Sequence, residues 1–209
     1  MLQMTLPRTA PVPAPRGRIG SGFSPDPRRY HLHLSAGCPR SLRVTTVLRL
    51  LGLADSVGTT VLGDPASHAA LRAAYEAAGH HYDGTLAVPA LCDTWSGRVV
   101  SNHTPDILDD LAVGLAGRPD LAPPAPAALA PAVRALLDDA APRAERSAAL
   151  ALLEHRLARS PYALGDLPTV TDVDLWVALR HRPEPLAAGP AVRSYLGRLR
   201  AHPAFRTGE

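Results

Sequence analysis

The stretch Tyr30-His31-Leu32-His33-Leu34-Ser35-Ala36-Gly37-Cys38-Pro39-Arg40-Ser41 decides how the rest of the chain is read. Its first six residues alternate and predict a strand, and the small residues Ala36 and Gly37 then make a turn. Pro39 suits the first position of a helix, and the run from Pro39 to Leu51 places Leu42, Val47, Leu50 and Leu51 near one face before stopping at Gly52. Cys38 thus opens a helix, where free N–H groups and the positive end of the macrodipole favour thiolate over thiol. A sulfur nucleophile is the first reading; a small buried residue that happens to cap a helix is the plainer one. Ser41 stands where a Cys-x-x-Cys enzyme would carry its second cysteine, so a disulfide formed at Cys38 has to be resolved by an external thiol.

Working outward, Val57 to Leu62 is β-branched and apolar and predicts a second strand, followed by a helix from Ser67 to Ala78 that ends at Gly79. Thr85 to Asp93 and Arg98 to Ser101 read as a hairpin turning at Trp95-Ser96-Gly97, with Val88-Pro89 at the mouth of its first strand. In Asn102-His103-Thr104-Pro105-Asp106, Thr104 is the expected N-cap, Pro105 the first helical residue and Asp106 a complement to the dipole, for a helix running to about Gly114. This order is the pattern of an α/β thioredoxin-like domain. Upstream, Met1 to about Arg29 is rich in Pro, Arg, Gly and Ser without apolar periodicity; it predicts a mobile arm, or extended chain laid over the body, that adds little core. Downstream, Pro119, Pro123, Pro124, Pro126 and Pro131 mark a connector in which no continuous helix is expected. Beyond it Ala144 to Arg159, Asp172 to His181 and Ala191 to Ala201 carry helical apolar faces, and Thr169-Val170-Thr171-Asp172 resembles a capping box with a structural role. The expected organisation is an arm over 1–28, a thioredoxin-like thiol-binding domain over 29–116, a proline-rich linker over 117–131 and an all-α C-terminal domain over 132–209.

Composition narrows the function. The chain has 209 residues, 22 basic and 19 acidic side chains and a formal charge of +3, with the arginines scattered, so it carries no electrostatic footprint for nucleic acid. No apolar run approaches the ~20 residues of a membrane span and the N-terminus lacks a signal-type apolar region, so a soluble cytoplasmic protein is expected. Two distant cysteines make no disulfide framework; Cys92, in the strand after Pro89, reads as core. His31 and His33 share a strand face and His80-His81 are adjacent, but neither pair has a third ligand at a metal spacing, and no metal is expected. Trp95 reads as a hairpin residue and Trp176 as packing between helices.

The strings RRYHLHLSAGCPRSLR (28–43), LRAAYEAAGHHYDGTLAVPALCDTWSGRVVSNHTPDIL (71–108) and YALGDLPTVTDVDLWVAL (162–179) resemble the glutathione transferase superfamily, and within it the Xi class, the glutathionyl-hydroquinone reductases. The resemblance implies a thioredoxin-like N-terminal domain followed by an all-α domain. It matches Cys38 to the family nucleophile, Pro39 to the proline after it, Arg43 to an arginine of the first helix, Pro89, with Val88 before it, to the cis-proline beside the thiol site, and Asn102 to the residue before a Glu-Ser pair. Arg40 departs from a family tryptophan, and His103-Thr104 stands for the Glu-Ser pair that holds the γ-glutamyl end of glutathione. Thr104 keeps a hydroxyl at a helix N-terminus, whereas His103 cannot pair with an ammonium group. Neither Tyr162 nor Tyr195 matches the family tyrosines.

By that resemblance the chain is a thiol-dependent transferase or reductase. Its co-substrate is a low-molecular-weight thiol: glutathione, or, given His103, a thiol whose cysteine nitrogen is modified, such as mycothiol. The resemblance implies that the Cys38 thiolate attacks the sulfur of a thiol-conjugated hydroquinone or similar small molecule, releases the reduced aromatic and leaves a mixed disulfide that a second small thiol clears, with help from backbone N–H groups, Arg40 and Arg43; His103 is also of a type to serve as a general base. The thiol-binding set is Pro39, Arg40, Arg43, Val88, Pro89, Asn102, His103 and Thr104. Two other readings stay open, a C–S bond-forming transferase without covalent Cys38 chemistry and a non-catalytic interaction domain; the resemblance also allows for a homodimer.

Overall fold

A computed structural model describes residues 14–79, 82–180 and 188–206; the His80-His81 pair and residues 1–13 lie outside them. A four-stranded sheet organises the first half. Its strands are β3 (Tyr30–Ser35), β4 (Gly58–Leu62), β5 (Ala90–Asp93) and β6 (Arg98–Ser101), in the order β4-β3-β5-β6. β3 runs parallel to β4 and antiparallel to β5, and β5 is antiparallel to β6. The parallel pair needs a crossover, supplied by α1 (Pro39–Leu50). Alternation along the strands splits the interior in two. Leu32, Leu34, Leu91 and Val100 face the main core with α1, whereas Ala90, Cys92 and Val99 meet Leu71 and Tyr75 of α2 (Pro65–Ala77) on the other face. Cys92 is buried there, and burial beside Asp93 pushes its thiol up to about 12, so it is a core residue.

Several elements differ from the sequence expectation. The strand after Thr85 is shorter than expected: only Ala90–Asp93 joins the ladder, because the chain enters it through Pro89, which has no N–H to donate. α3 covers Thr104–Asp109, with His103 rather than Thr104 at the N-cap and Thr104 in the first turn; from Asp110 to Leu115 the helix widens into a π turn. The described part of the N-terminal arm is extended chain laid along the body. β1 (Arg18–Ile19) pairs with β2 (Gly22–Phe23), the Gly17 N–H donates to the Val100 carbonyl at 2.8 Å, and Ile19 enters the core. Arg18 donates to Asp110 at 2.7 Å and also pairs with Asp109, so the arm is fastened to α3 by charges that its lack of apolar periodicity concealed.

The helices α4 (Ala130–Leu137), α5 (Arg143–Leu157), α6 (Val170–Arg180) and α7 (Pro190–Ala201) form the second half. The proline run holds only a 3-10 turn at Pro119–Leu121, but Pro131 lies in the first turn of α4, where its missing N–H costs nothing, so α4 begins inside the expected linker. Fully buried Asp172 ties this half together. Its carboxylate accepts from the N–H groups of Ala163 and Thr169, both at 2.8 Å, the Thr169 hydroxyl at 2.9 Å and the Tyr195 hydroxyl at 2.8 Å. Glu154 of α5 caps α7 by accepting from the Ala191 and Val192 N–H groups at 2.6 and 3.0 Å. Trp176 is buried edge-on to Phe205, whereas Trp95 in the β5–β6 turn is 67% exposed under the Arg29 guanidinium. No helix among the described residues is long and apolar enough to cross a membrane.

The turn between β5 and β6 hangs on Asp93, which has no exposed surface. Its oxygens accept from Arg29 at 2.6 and 2.7 Å, from the Trp95 N–H at 3.1 Å and from the Ser96 hydroxyl at 2.5 Å, while Gly97 takes the positive φ of 67° that closes the turn. The hydrogen bond and charge of Arg29 hold this carboxyl well below the usual carboxylate range. A depressed acid pKa stabilises the fold above the unfolded-state value and loses that contribution as pH falls toward the folded one. Asp93→Asn should therefore cost about 3 kcal/mol at neutral pH, leaving Arg29 without its partner, and should flatten the acid limb of stability, both measurable by urea unfolding between pH 7 and pH 3.

Candidate thiol site

Cys38 is the N-cap of α1, half-buried, and reached through the tight turn at Gly37 with φ 69°. Burial raises its pKa, but hydrogen bonds from the backbone and side chain of Ser41, then of Arg40, outweigh that effect and lower the thiol below its ordinary value. Ser41 is itself fixed, because its hydroxyl accepts the Ser35 N–H at 3.1 Å. Pro39 occupies the first turn, and Arg40 is exposed beside it. Arg43, expected near the thiol, turns instead to α6 and donates to Asp174 at 2.7 Å. A partly desolvated carboxylate one helix away is a better partner for a guanidinium than a thiol five residues earlier on α1.

A second group of predicted residues gathers at the ends of β5 and β6. The Val88-Pro89 peptide is cis, and Pro89 is buried. Asn102 donates from Nδ2 to the Tyr75 hydroxyl at 2.9 Å, and Tyr75 donates in turn to the Ala87 carbonyl at 2.8 Å. Tyr75 therefore joins the segment leading into Val88-Pro89 to the segment leading into His103-Thr104. Burial pushes its phenol up to about 12, so it remains a donor at every pH of interest. The sequence alone marked Tyr75 only as a helix residue; the signal for its role was an aromatic hydroxyl on a buried face, which wants a partner.

At the start of α3, His103 Nδ1 lies 3.1 Å from Asp106 Oδ1, and Arg16 of the N-terminal arm closes on the same carboxylate. The hydroxyl of Thr104 is buried and has no hydrogen-bond partner. A buried hydroxyl at a helix start, with nothing to bond, suits a ligand oxygen. Cys38 itself lines a cavity of about 390 Å³ with Leu34, Ser41, Leu42, Thr45 and Val61. A second cavity, about 440 Å³, opens between α3, α4 and α6 against Leu108, Val133, Leu137 and Val170, with the Arg43–Asp174 pair in its wall. No cluster of three or more His, Cys, Asp or Glu side chains among the described residues could hold a metal ion.

No family model matches the chain. Among curated proteins it is similar to the glutathionyl-hydroquinone reductase PcpF of Sphingobium chlorophenolicum, at 27% identity over 112 residues, 44% of this chain. The match spans 36% of that protein, so the chain accounts for a little over a third of the curated relative's length. Among solved structures, the Xi glutathione transferase of Phanerochaete chrysosporium aligns with a TM-score of 0.65 and 22% identity over 96% of this chain and 88% of that one. The Xi glutathione transferase ECM4 of Saccharomyces cerevisiae, solved with glutathione, aligns at 0.62 and 16% identity over 95% and 89%. The chain has the glutathione transferase fold, an α/β thioredoxin-like half followed by a helical half, and Xi-class proteins are its neighbours.

Two variants separate the thiol from its surroundings. Ser41→Ala removes a donor that favours the thiolate, so the pH profile of Cys38 alkylation by iodoacetamide should move to higher pH. Tyr75→Phe should leave that profile in place while weakening binding of a small thiol several-fold, since it releases both Ala87 and Asn102; titration calorimetry with the thiol reads the second effect.

Proposed function

We propose that this protein is a thiol-dependent transferase or reductase in which Cys38 is the nucleophile. The observation that carries the reading is a half-buried thiol at the N-terminus of α1, lowered in pKa by Ser41 and Arg40 and facing a cavity large enough for a small molecule. The glutathionyl-hydroquinone reductase relative supports the choice of substrate, a small thioether conjugate. In the proposed step the Cys38 thiolate attacks the sulfur of the conjugate. An S–S bond forms, the C–S bond breaks, and its electron pair stays on the carbon, which takes a proton and leaves as the reduced small molecule. The mixed disulfide on Cys38 is then attacked by a second small thiol, releasing the small-thiol disulfide and restoring the thiolate. Ser41 supplies no resolving sulfur, which is why the second thiol comes from outside.

The thiol-binding half of the site would comprise Pro39, Val88, Pro89, Asn102, His103 and Thr104, with Arg40 at its edge; Arg43 acts on it only by fixing α1. Thr104 offers an unspent hydroxyl to a ligand oxygen. The position at which an ammonium group would need a carboxylate carries His103, and the nearby Asp106 is already engaged by Arg16. These neighbours favour a thiol whose cysteine nitrogen is acylated, such as mycothiol, over glutathione with its free amine. A cytoplasmic setting, with its pool of reduced small thiols, suits this chemistry.

Incubation with glutathione disulfide and with mycothiol disulfide, read by intact-mass spectrometry, should give one adduct per chain that Cys38→Ala abolishes. The N-acylated thiol should bind more tightly, and tighter binding of glutathione would remove that preference. Turnover retained by Cys38→Ala would instead point to a conjugating enzyme without a covalent step. Absence of any adduct or binding would favour a non-catalytic domain.

A further inference from the structure

Two histidines lie on the sheet face that α2 covers. Alternation along β3 sends Tyr30, Leu32 and Leu34 to the main core and His31 and His33 to the other side. The register sets His31 opposite Cys92 and His33 opposite Ala90, and both of those residues pack with Leu71 and Tyr75 of α2. The two rings stand 5.1 Å apart. His31 spends Nε2 on the Thr60 hydroxyl at 2.8 Å and lies so close to β4 that a Cβ on Gly58 would come within 2.4 Å of its Nδ1. His33 is 7% exposed, and its Nδ1 is buried without a hydrogen-bond partner. The surrounding elements bring no counter-charge to the pair. β4 carries no titratable side chain, β5 contributes the protonated Cys92 thiol and an Asp93 already held by Arg29, and β6 contributes only the exposed Arg98. From α2 come the Tyr75 phenol on the inner face and the exposed His68, Arg72 and Glu76; from the chain before Pro89 come Tyr82 and an exposed Asp83 that accepts the Thr85 N–H.

We infer that the histidine pair is an acid-sensitive latch: protonation of His31 and His33 releases α2 from the sheet and, through Tyr75, loosens the chain before Pro89 and the segment at Asn102. An imidazolium carries an N–H on both nitrogens, so charging His33 places a buried donor at Nδ1 with nothing to accept it. Charging both rings also sets two positive charges side by side beneath a helix. Burial lowers the pKa of each ring, and the charge of His31 adds to the effect on His33. The folded chain therefore binds these protons more weakly than the unfolded chain does. The packing of α2 keeps its full stability above the ordinary histidine range and loses it as pH falls through that range toward the lower folded values. Tyr75 is the α2 side chain that donates to the Ala87 carbonyl and accepts from Asn102, so release of α2 reaches both segments at once. The consequence for thiol binding rests on the proposed thiol site, whereas the release of α2 does not.

Hydrogen–deuterium exchange read by mass spectrometry at pH 7.5 and pH 5.5, with rates corrected for the intrinsic effect of pH, follows α2 directly. Peptides from α2 should exchange several-fold faster at pH 5.5, while those from α5 and α6 keep their rates. His31→Asn together with His33→Leu should remove the difference; Asn retains a group to bond Thr60, and His68 and His103 stay in place as internal controls. An α2 rate that ignores pH in the unsubstituted protein, equal loosening of α2 and α6, or a response that survives the double substitution would overturn the inference. If the double variant does not fold, NMR titration of the ring protons in the unsubstituted protein decides. Both rings titrating below the ordinary histidine range supports the latch, and either ring titrating at or above that range overturns it. Glutathione, followed by titration calorimetry, should bind several-fold more weakly at pH 5.5, an effect that the double variant lacks. Binding that ignores pH while α2 loosens would overturn the coupling to the thiol site. Absence of binding at both pH values would remove the thiol site and that coupling with it, while the exchange rates still decide the release of α2.

Discussion

Arg43 of α1 and Asp174 of α6 meet at 2.7 Å, each with little exposed surface, and the position of Cys38 depends on that meeting. α1 lies between the sheet and α6, with Val44, Val47 and Leu48 buried in the core shared with Leu175 and Trp176. Apolar packing of this kind is weakly directional, whereas a hydrogen-bonded ion pair such as Arg43 Nε to Asp174 Oδ1 is directional. The pair adds little to stability. Burial raises the pKa of Asp174 despite the facing guanidinium, and an acid whose pKa rises on folding weakens the fold above that pKa. Its contribution is orientation: it fixes the rotation of α1, and through it the direction in which the N-cap sulfur and the donors of Arg40 and Ser41 point.

The same logic recurs in the contacts that tie α2, the chain before Pro89 and α3 to one another. Tyr75 spans from α2 to the loop before Val88-Pro89 and to Asn102, while the arm reaches α3 through Arg16 and Arg18. Each is a polar contact made across elements distant in sequence, at the rim of a core that is otherwise apolar. Where the partner is buried, as Tyr75 and Asp110 are, losing the contact leaves a polar group unpaired, which costs far more than the bond adds while intact.

The sequence carried the fold more plainly than it carried these contacts. The alternation in Tyr30–Ser35, the Gly37 turn, Pro39 after the thiol and Val88-Pro89 before a strand are local signals, each read from a few neighbouring residues, and they located β3, α1 and the entry to β5. Arg43 is assigned to the thiol site by its match to an arginine of the family's first helix, and only the packing of α6 reveals Asp174 as its partner. α4 was hidden by Pro131, which sits in a first turn and so breaks nothing. Ile19 was hidden because a single apolar residue in an arm rich in Pro, Gly and Arg has no periodicity to announce it; charges on Arg18, Asp109 and Asp110 dock it. Long-range pairing of this kind has no local signature, so it is the part that a linear reading loses.

Donors at the start of α1 bear on the thiolate. Hydrogen bonds from Ser41 and Arg40 lower the Cys38 thiol below its ordinary value against the opposing effect of burial. A lowered pKa favours the thiolate, but it also makes it a weaker nucleophile per ion. The balance favours a reaction whose electrophile is activated in its own right, such as a sulfur attached to a carbon that can accept an electron pair and a proton. A site that lowers the thiol pKa therefore selects for a good leaving group, and the donors at the start of α1 and the proposed C–S cleavage belong to one arrangement.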